Sequence, residues 1–322
     1  MPYKKKVLVL SSIAGALFII YVLSFVFSGE SRARRTARWA PLASKTAQLA
    51  TKVVLKGSEG EVKLEKDGEI WQVRVDDELF PAKQARIDDF FAALTATAEY
   101  PVRATSENAG QKLGFDEAAD KITIYEGETT SIELVFGTMD ATGKEIYLRS
   151  GDGPIRSGID NFTVYLGGAA KAWFDLALFN STSKPAVDSI QRMVVTFSQE
   201  PDAAKPSPTP YTLVRTKDGW QFESGEKADT STVDATIRFI LDAQGDDFMA
   251  LSMTPAGADF SGKYGQVLLE TGDNTSISVI LGQQYADKKM AKTSGRDYIY
   301  ALSDWTIERI WQDKTKLAEK KE

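Results

Sequence analysis

Thr130-Ser131-Ile132-Glu133-Leu134-Val135-Phe136-Gly137 returns 145 residues later as Thr275-Ser276-Ile277-Ser278-Val279-Ile280-Leu281-Gly282. The offset stays constant from Phe115/Phe260 through Ile122/Val267, Ile124/Leu269 and Gly127/Gly272 to the closing glycines. Upstream, Leu64 and Trp71 meet Leu213 and Trp220 at an offset of 149, and Ile87-Asp88 meets Val233-Asp234 at 146. Downstream, Val164-Tyr165 meets Ile299-Tyr300 at 135. Apolar meets apolar, glycine meets glycine, and the segments keep their order, with small loop deletions absorbing the drift. A fixed-offset match of this kind is the signature of an internal repeat. The expected fold class is therefore α+β, with two tandem repeats, each a mainly antiparallel sheet covered by a helix.

The 322 residues allow two domains of ordinary size, and a hydrophobic content of 43% suffices for packed cores. Cysteine and histidine are both absent. That excludes disulfides, thiolate nucleophiles, Cys/His zinc sites and histidine-based triads. The net charge of −6 is uneven. Residues 1–38 carry +6 from Lys4, Lys5, Lys6, Arg32, Arg34, Arg35 and Arg38 against Glu30, so the remainder carries −12. A body that acidic lacks the basic surface that nucleic acid requires.

Val7 to Phe27 is an uncharged run of apolar and small residues. As a helix it spans roughly 30 Å, the thickness of a bilayer core. Three lysines precede it, and no small-x-small cleavage site ends it, so it reads as an uncleaved single transmembrane helix. Lysines flank one end and arginines the other, so the positive-inside count is nearly balanced. The six-residue, lysine-rich tail favours a cytoplasmic N-terminus, with the arginines of Ser31–Arg38 against lipid headgroups. The expected organisation is a tail at 1–6, an anchor at 7–27, a juxtamembrane spacer at 28–50, repeat 1 at 51–182, repeat 2 at 186–313 and a charged, frayed tail at 314–322.

Within repeat 1, strands are expected at Val53–Leu55, Glu61–Leu64 and Ile70–Val75, with Asp67-Gly68 as a hairpin turn. Ile87, Phe90, Phe91 and Leu94 form one helical stripe. Further strands are expected at Lys121–Tyr125, Thr130–Phe136, Glu145–Arg149 and Phe162–Leu166, then a short helix at Ala169–Leu178. Repeat 2 retraces this path with strands at Met193–Phe197, Tyr211–Arg215, Val267–Glu270, Ser276–Leu281 and Asp297–Leu302. Its helix stripe is Val233, Ile237, Ile240 and Leu241, and Asp304 is the expected cap of a last helix, Trp305–Gln312. Trp71 and Trp220 occupy equivalent places, as fillers of two related cores.

No motif carries chemistry. Gly257–Tyr264 approaches a phosphate-binding loop, but Tyr264 stands where the motif needs Ser or Thr, and a strand follows. Ser181–Lys184 has acyl-enzyme spacing but precedes Pro185, which disfavours the helix that spacing needs. Asp88-Asp89 and Asp246-Asp247 are carboxylate pairs with nothing to single either out for glycosidase work. No catalytic residue, metal ligand or cofactor is expected. The one feature present in a single copy is the proline-rich stretch Ser198–Pro210, so Pro201, Pro206, Pro208 and Pro210 are the candidate partner contacts.

The strand followed by Gly68-Glu69-Ile70-Trp71 points to a family, as does Leu113-Gly114-Phe115-Asp116 just before a strand. With Phe136-Gly137 ending its strand and Val164-Tyr165-Leu166, the pattern resembles a bacterial domain-of-unknown-function family of membrane-anchored proteins with tandem β-rich repeats. Its members are often encoded beside ABC transporter components of the gliding-motility type. The resemblance covers most of residues 50–180 and, more loosely, the second copy, where Ala258-Asp259-Phe260 replaces the second phrase. It implies an accessory role at a transporter and supplies no site residues. The expected function is an inner-membrane, single-pass protein with an extracytoplasmic scaffold or binding module. It would contact the bilayer through residues 7–27 and the subunits of an ABC-type complex. The alternatives are a carboxylate-dependent hydrolase of cell-envelope polymer and a small-ligand binder using the cleft between repeats.

Overall fold

A computed structural model describes residues 14–21, 37–105, 107–182, 184–199, 208–249, 254, 258–285 and 288–320. The expected span 7–27 lies outside them except for residues 14–21, which are helical, with Leu17, Phe18, Ile19, Ile20 and Tyr21 all exposed. Among the described residues no helix is long and apolar enough to cross a membrane.

The chain divides into two units: Met1–Arg74 with Ala82–Trp173, and Val75–Pro81 with Phe174–Glu322. Both are mixed α and β, and every strand pair whose register is defined is antiparallel.

The first unit opens with β1 (Arg38–Trp39), α1 (Ser44–Leu49), β2 (Lys52–Gly57), β3 (Gly60–Asp67) and β4 (Ile70–Val75). β5 (Glu78–Pro81) lies in the segment assigned to the second unit. Then follow α2 (Gln84–Thr95), β6 (Ala98–Glu99), β7 (Val102–Ala104), α3 (Glu107–Lys112), β8 (Asp120–Glu126), β9 (Thr129–Met139), β10 (Glu145–Ser150), β11 (Ile155–Ile159) and α4 (Thr163–Leu166). Of the nine strands in its sheet, eight run in the order β4-β3-β2-β8-β9-β10-β11-β7.

The second unit holds β12 (Ile190–Phe197), β13 (Tyr211–Thr216), β14 (Gly219–Phe222), α5 (Thr230–Asp242), β15 (Asp247–Met249), β16 (Gly265–Thr271), β17 (Ser276–Tyr285), β18 (Lys288–Thr293), β19 (Arg296–Leu302), α6 (Asp304–Ile310) and α7 (Lys314–Leu317). Its sheet order is β14-β13-β12-β16-β17-β18-β19-β15, which matches the first unit strand for strand.

The alternation of side chains explains where the cores sit. In β2, Val53 and Leu55 are buried while Lys52, Val54 and Lys56 point to the other face; β8 repeats this with Ile122 and Ile124. Ile87, Phe90 and Leu94 of α2 are buried, with Phe91 half-buried, as the helical stripe predicts. In α5 the buried set is Val233, Thr236, Ile237, Ile240 and Leu241.

The tryptophans keep equivalent company. Trp71 N–H donates to Gln84 Oε1 at 3.3 Å, and its carbonyl accepts from Ala82 N and Gln84 Nε2. Trp220 N–H donates to Thr230 Oγ1 at 3.1 Å, and its carbonyl accepts from Ala228 N. Gln84 and Thr230 each open the helix of their unit.

Several expectations need correction. Phe162–Leu166 is rich in strand formers, yet it holds α4, and the strand is β11 upstream. The carboxylate of Asp160 accepts the backbone N–H groups of Phe162 and Thr163, and that local competition turns the chain. Ala169–Leu178 contains only the 3₁₀ turn Ala170–Trp173. β18 went unforeseen because lysines dominate its sequence, although Met290 and Ala291 are fully buried. Ser303, not Asp304, caps α6, its hydroxyl accepting from Thr306 N. The stretch after Asp313 is not frayed: Asp313 caps α7, Leu317 is fully buried, and Asp229 N–H donates to the Leu317 carbonyl. Of the expected spacer 28–50 the described part, 37–50, is packed: Ala37, Leu42 and Ala50 are buried and β1 pairs with β6.

Candidate functional site

The repeated stretch ends in the same distortion in both units. On β9, Met139 and Phe136 face Ile146 and Leu148, so three steps along β9 match two along β10. On β17, Gln284 and Leu281 face Lys289 and Ala291 in the same way. The extra residue sits at Gly137-Thr138 in one unit and Gly282-Gln283 in the other. A bulge of this kind bends a strand and re-aims its side chains.

The glycines have a steric reason. A Cβ on Gly137 would lie 2.8 Å from the Phe115 ring and 2.2 Å from the Leu113 carbonyl oxygen. A Cβ on Gly282 would lie 2.7 Å from the Phe260 ring. Over each ring stands a cation: Arg149 at 5.3 Å from Phe115, and Lys292 at 5.0 Å from Phe260. Glycine, phenyl ring and cation thus form one layered device, built twice.

Around the second bulge a cavity of about 560 Å³ opens, lined by Ser198, Tyr264, Leu281, Gly282, Gln283, Gln284 and Lys289. β12 delivers the chain to Ser198, the residue before β16 is Tyr264, and the bulged β17 supplies the glutamines. Lys289 on β18 faces Gln284 across the ladder and makes an ion pair with Asp304 at 3.6 Å. Lys263 holds its ammonium 5.2 Å from the Tyr264 ring centre.

The corresponding positions in the first unit are Ala119, Thr138, Met139 and Ile146, opposite Tyr264, Gln283, Gln284 and Lys289. There Thr138 N–H donates to the Leu113 carbonyl at 2.8 Å. The hairpin beyond is tied by Asp140, which accepts from the Thr142 hydroxyl and from Lys144 N and Glu145 N. Those hydrogen bonds, led by Glu145 N, hold the Asp140 carboxyl down to about 2. One bulge carries apolar and small side chains; the other carries amides, a phenol and an ammonium.

A second cleft, of about 380 Å³, is lined by Val194, Thr196, Pro210, Tyr211, Phe222 and Lys314 among others. It meets one end of the proline-rich stretch. Pro208 and Pro210 are exposed; Pro201 and Pro206 lie outside the described residues. A third, of about 350 Å³, includes Asp218, Asp229 and Glu319. Asp229 is committed to capping α5, and hydrogen bonds from the Ser231 hydroxyl and Thr232 N hold its carboxyl below the usual range. That is the wrong direction for a general acid.

The Asp246-Asp247 pair has structural work. Asp246 accepts Ser303 N at 2.6 Å, and Asp247 lies 3.6 Å from the Lys288 ammonium. Asp88 and Asp89 are exposed on α2. Lys184 of the acyl-enzyme spacing is ion-paired to Asp242. Among the described residues no group of three or more acidic side chains is placed to hold a metal. Gln283, Gln284 and Lys289 carry no motif in the sequence, and Tyr264 stands out there only as a departure from a phosphate-binding loop. The signal lay in the repeat itself, at the positions where two otherwise similar copies differ.

The family described as "Domain of unknown function (DUF4340)" matches residues 71–267, more than half of the chain. The chain belongs to the DUF4340 family. The DUF4340 match begins at Trp71 of β4 and ends at Val267 of β16, and so takes in parts of both sheets. No curated protein and no solved structure matches the chain.

Proposed function

We propose that the protein is a membrane-anchored binding module, a non-enzymatic accessory of an ABC-type transport complex, carried on a tandem duplication of one sheet-plus-helix unit. The observation that carries the binding reading is the lining of the bulge cavity. Two amides, a phenol, a hydroxyl and an ion-paired ammonium are equipped to hydrogen-bond a guest. They do not form the acid and base pair that bond hydrolysis needs. The order shared by eight strands of each sheet supports the duplication.

The anchor rests on the uncharged run at 7–27 and on the exposed apolar side chains of residues 14–21. The transport partner rests on the family resemblance and on the proline-rich stretch, present in one copy only. In this reading the N-terminus lies in the cytoplasm of a bacterium, and the two units lie outside the inner membrane.

Gentle detergent extraction followed by affinity purification tests the proposal. Transporter subunits are expected to co-purify with the full chain and to be lost when 7–27 is replaced by a cleavable signal. A chain that purifies alone from membranes removes the accessory role. Recovery of the chain in the soluble fraction removes the anchor.

A further inference from the structure

We infer that the cavity at the second bulge binds a hydroxyl-rich, uncharged ligand, of which an oligosaccharide is the polymeric form. This deepens the binding-module reading and rests on it. The bulge, its glycine and the phenyl ring against that glycine are common to both units. They therefore serve the fold. What differs is the set of side chains the bulge carries: Ala119, Thr138, Met139 and Ile146 in one, Tyr264, Gln283, Gln284 and Lys289 in the other. Folding does not require the second set, since the first unit forms the same bulge without it.

The chemistry of that set selects the ligand. A primary amide offers two donors and an acceptor in one plane. A group that both donates and accepts complements it, which a hydroxyl does and an ionised carboxylate, acceptor only, does not. Two consecutive glutamines on a bulged strand place two such amides at one opening. Lys289, the cation lining the cavity, is already paired with Asp304 at 3.6 Å. It can donate to a hydroxyl without the site gaining the net positive charge that an anion would demand. Among the described residues that line the cavity there is no carboxylate, and the nearest one, Asp304, is engaged by Lys289. Tyr264, whose ring meets the Lys263 ammonium at 5.2 Å, adds a phenol hydroxyl that can both donate and accept. A volume of about 560 Å³ is ample for two or three sugar rings of an open chain.

The test is isothermal titration of the full chain in detergent with glucose, cellohexaose, chitohexaose, inorganic phosphate and polyglutamate. At least one of the three sugars is expected to bind, and phosphate and polyglutamate are not. Binding of a hexaose but not glucose assigns a polymer; equal binding of glucose assigns a free sugar; both uphold the hydroxyl-rich ligand. Gln283→Ala and Gln284→Ala are each expected to weaken binding about tenfold, the loss of one or two hydrogen bonds. Thr138→Ala at the first bulge is expected to leave it unchanged. Gln284 is exposed, so its variant keeps the fold, which a thermal melt verifies. The inference is overturned if phosphate or polyglutamate binds in place of sugars, if no sugar binds at millimolar concentration, or if both glutamine variants bind as the parent does. Co-purification of transporter subunits with those same variants tells the two readings apart. If subunits are retained while sugars fail, the accessory module stands and its ligand assignment falls.

Discussion

At the scale of single residues, the two bulge glycines separate a steric cost that yields from one that does not. The Cβ of Gly282→Ala would press on the edge of a phenyl ring, whereas that of Gly137→Ala would also meet a backbone oxygen at 2.2 Å. A ring can tilt; the Leu113 carbonyl is held by Thr138 N–H. Both substitutions are expected to destabilise, Gly137→Ala by about 3 kcal/mol and Gly282→Ala by about 1, with chemical denaturation as the measurement. Equal losses would mean the Leu113 loop moves as easily as a ring. Tyr300 provides a pH test. Burial pushes its phenol up to about 12, and its hydroxyl donates to the Ala177 carbonyl at 3.1 Å. The unfolded phenol ionises near the ordinary value of about 10. Its contribution is thus full below pH 10 and lost as pH rises through 12. Ultraviolet titration should show late phenolate ionisation whose amplitude Tyr300→Phe lowers by one group, since burial raises Tyr211 as well. The glycines were legible in the sequence as matched positions, but their reason was not, because it lies in Phe115 and Phe260, more than twenty residues upstream.

Among the elements, periodic ones were legible and locally capped ones were not. The helix stripes of α2 and α5 and the alternating strands β2, β3, β4, β8 and β13 follow from the spacing of apolar side chains. Phe162–Leu166 misled because a short run of β-branched and aromatic residues carries no periodicity to distinguish a strand from a single helical turn. The decision fell to the Asp160 carboxylate outside the run. β18 misled in the opposite sense, its lysines hiding a half-buried strand that lies between β17 and β19. The cap of α6 makes a direct comparison. Ser303→Ala is expected to cost about 1 kcal/mol and Asp304→Ala clearly less, since only the Ser303 hydroxyl accepts from the helix backbone. Thermal melts of the two variants decide it, and a larger loss at Asp304 would restore the original assignment.

For the whole molecule, the sequence repeat foretold two related bodies but not where the chain is shared between them. Val75–Pro81 interrupts the first unit and belongs to the second. There Phe80 stacks on Phe248 at 4.9 Å and packs against Phe174 at 5.4 Å and Tyr298 at 6.0 Å. Such a detour leaves no trace in periodicity, because the repeat offset says nothing of which core a hairpin tip enters. Phe80→Ala is expected to cost about 3 kcal/mol and to act on the unfolding of the second unit, read by hydrogen exchange at β15 and β19. Protection lost in β2 and β8 instead would place Phe80 elsewhere. A fragment beginning at residue 186 lacks both Phe80 and Phe174, and is expected to melt without a cooperative transition.

The same detour sets a timetable for synthesis. More than two hundred residues separate Pro81 from Tyr298, the last of the rings packed on Phe80 to be made. At ribosomal speed that interval is roughly 10–40 s, during which Phe80 has no completed core to enter. A nascent chain in that condition invites chaperone engagement, and slowing translation late in the message should lengthen it.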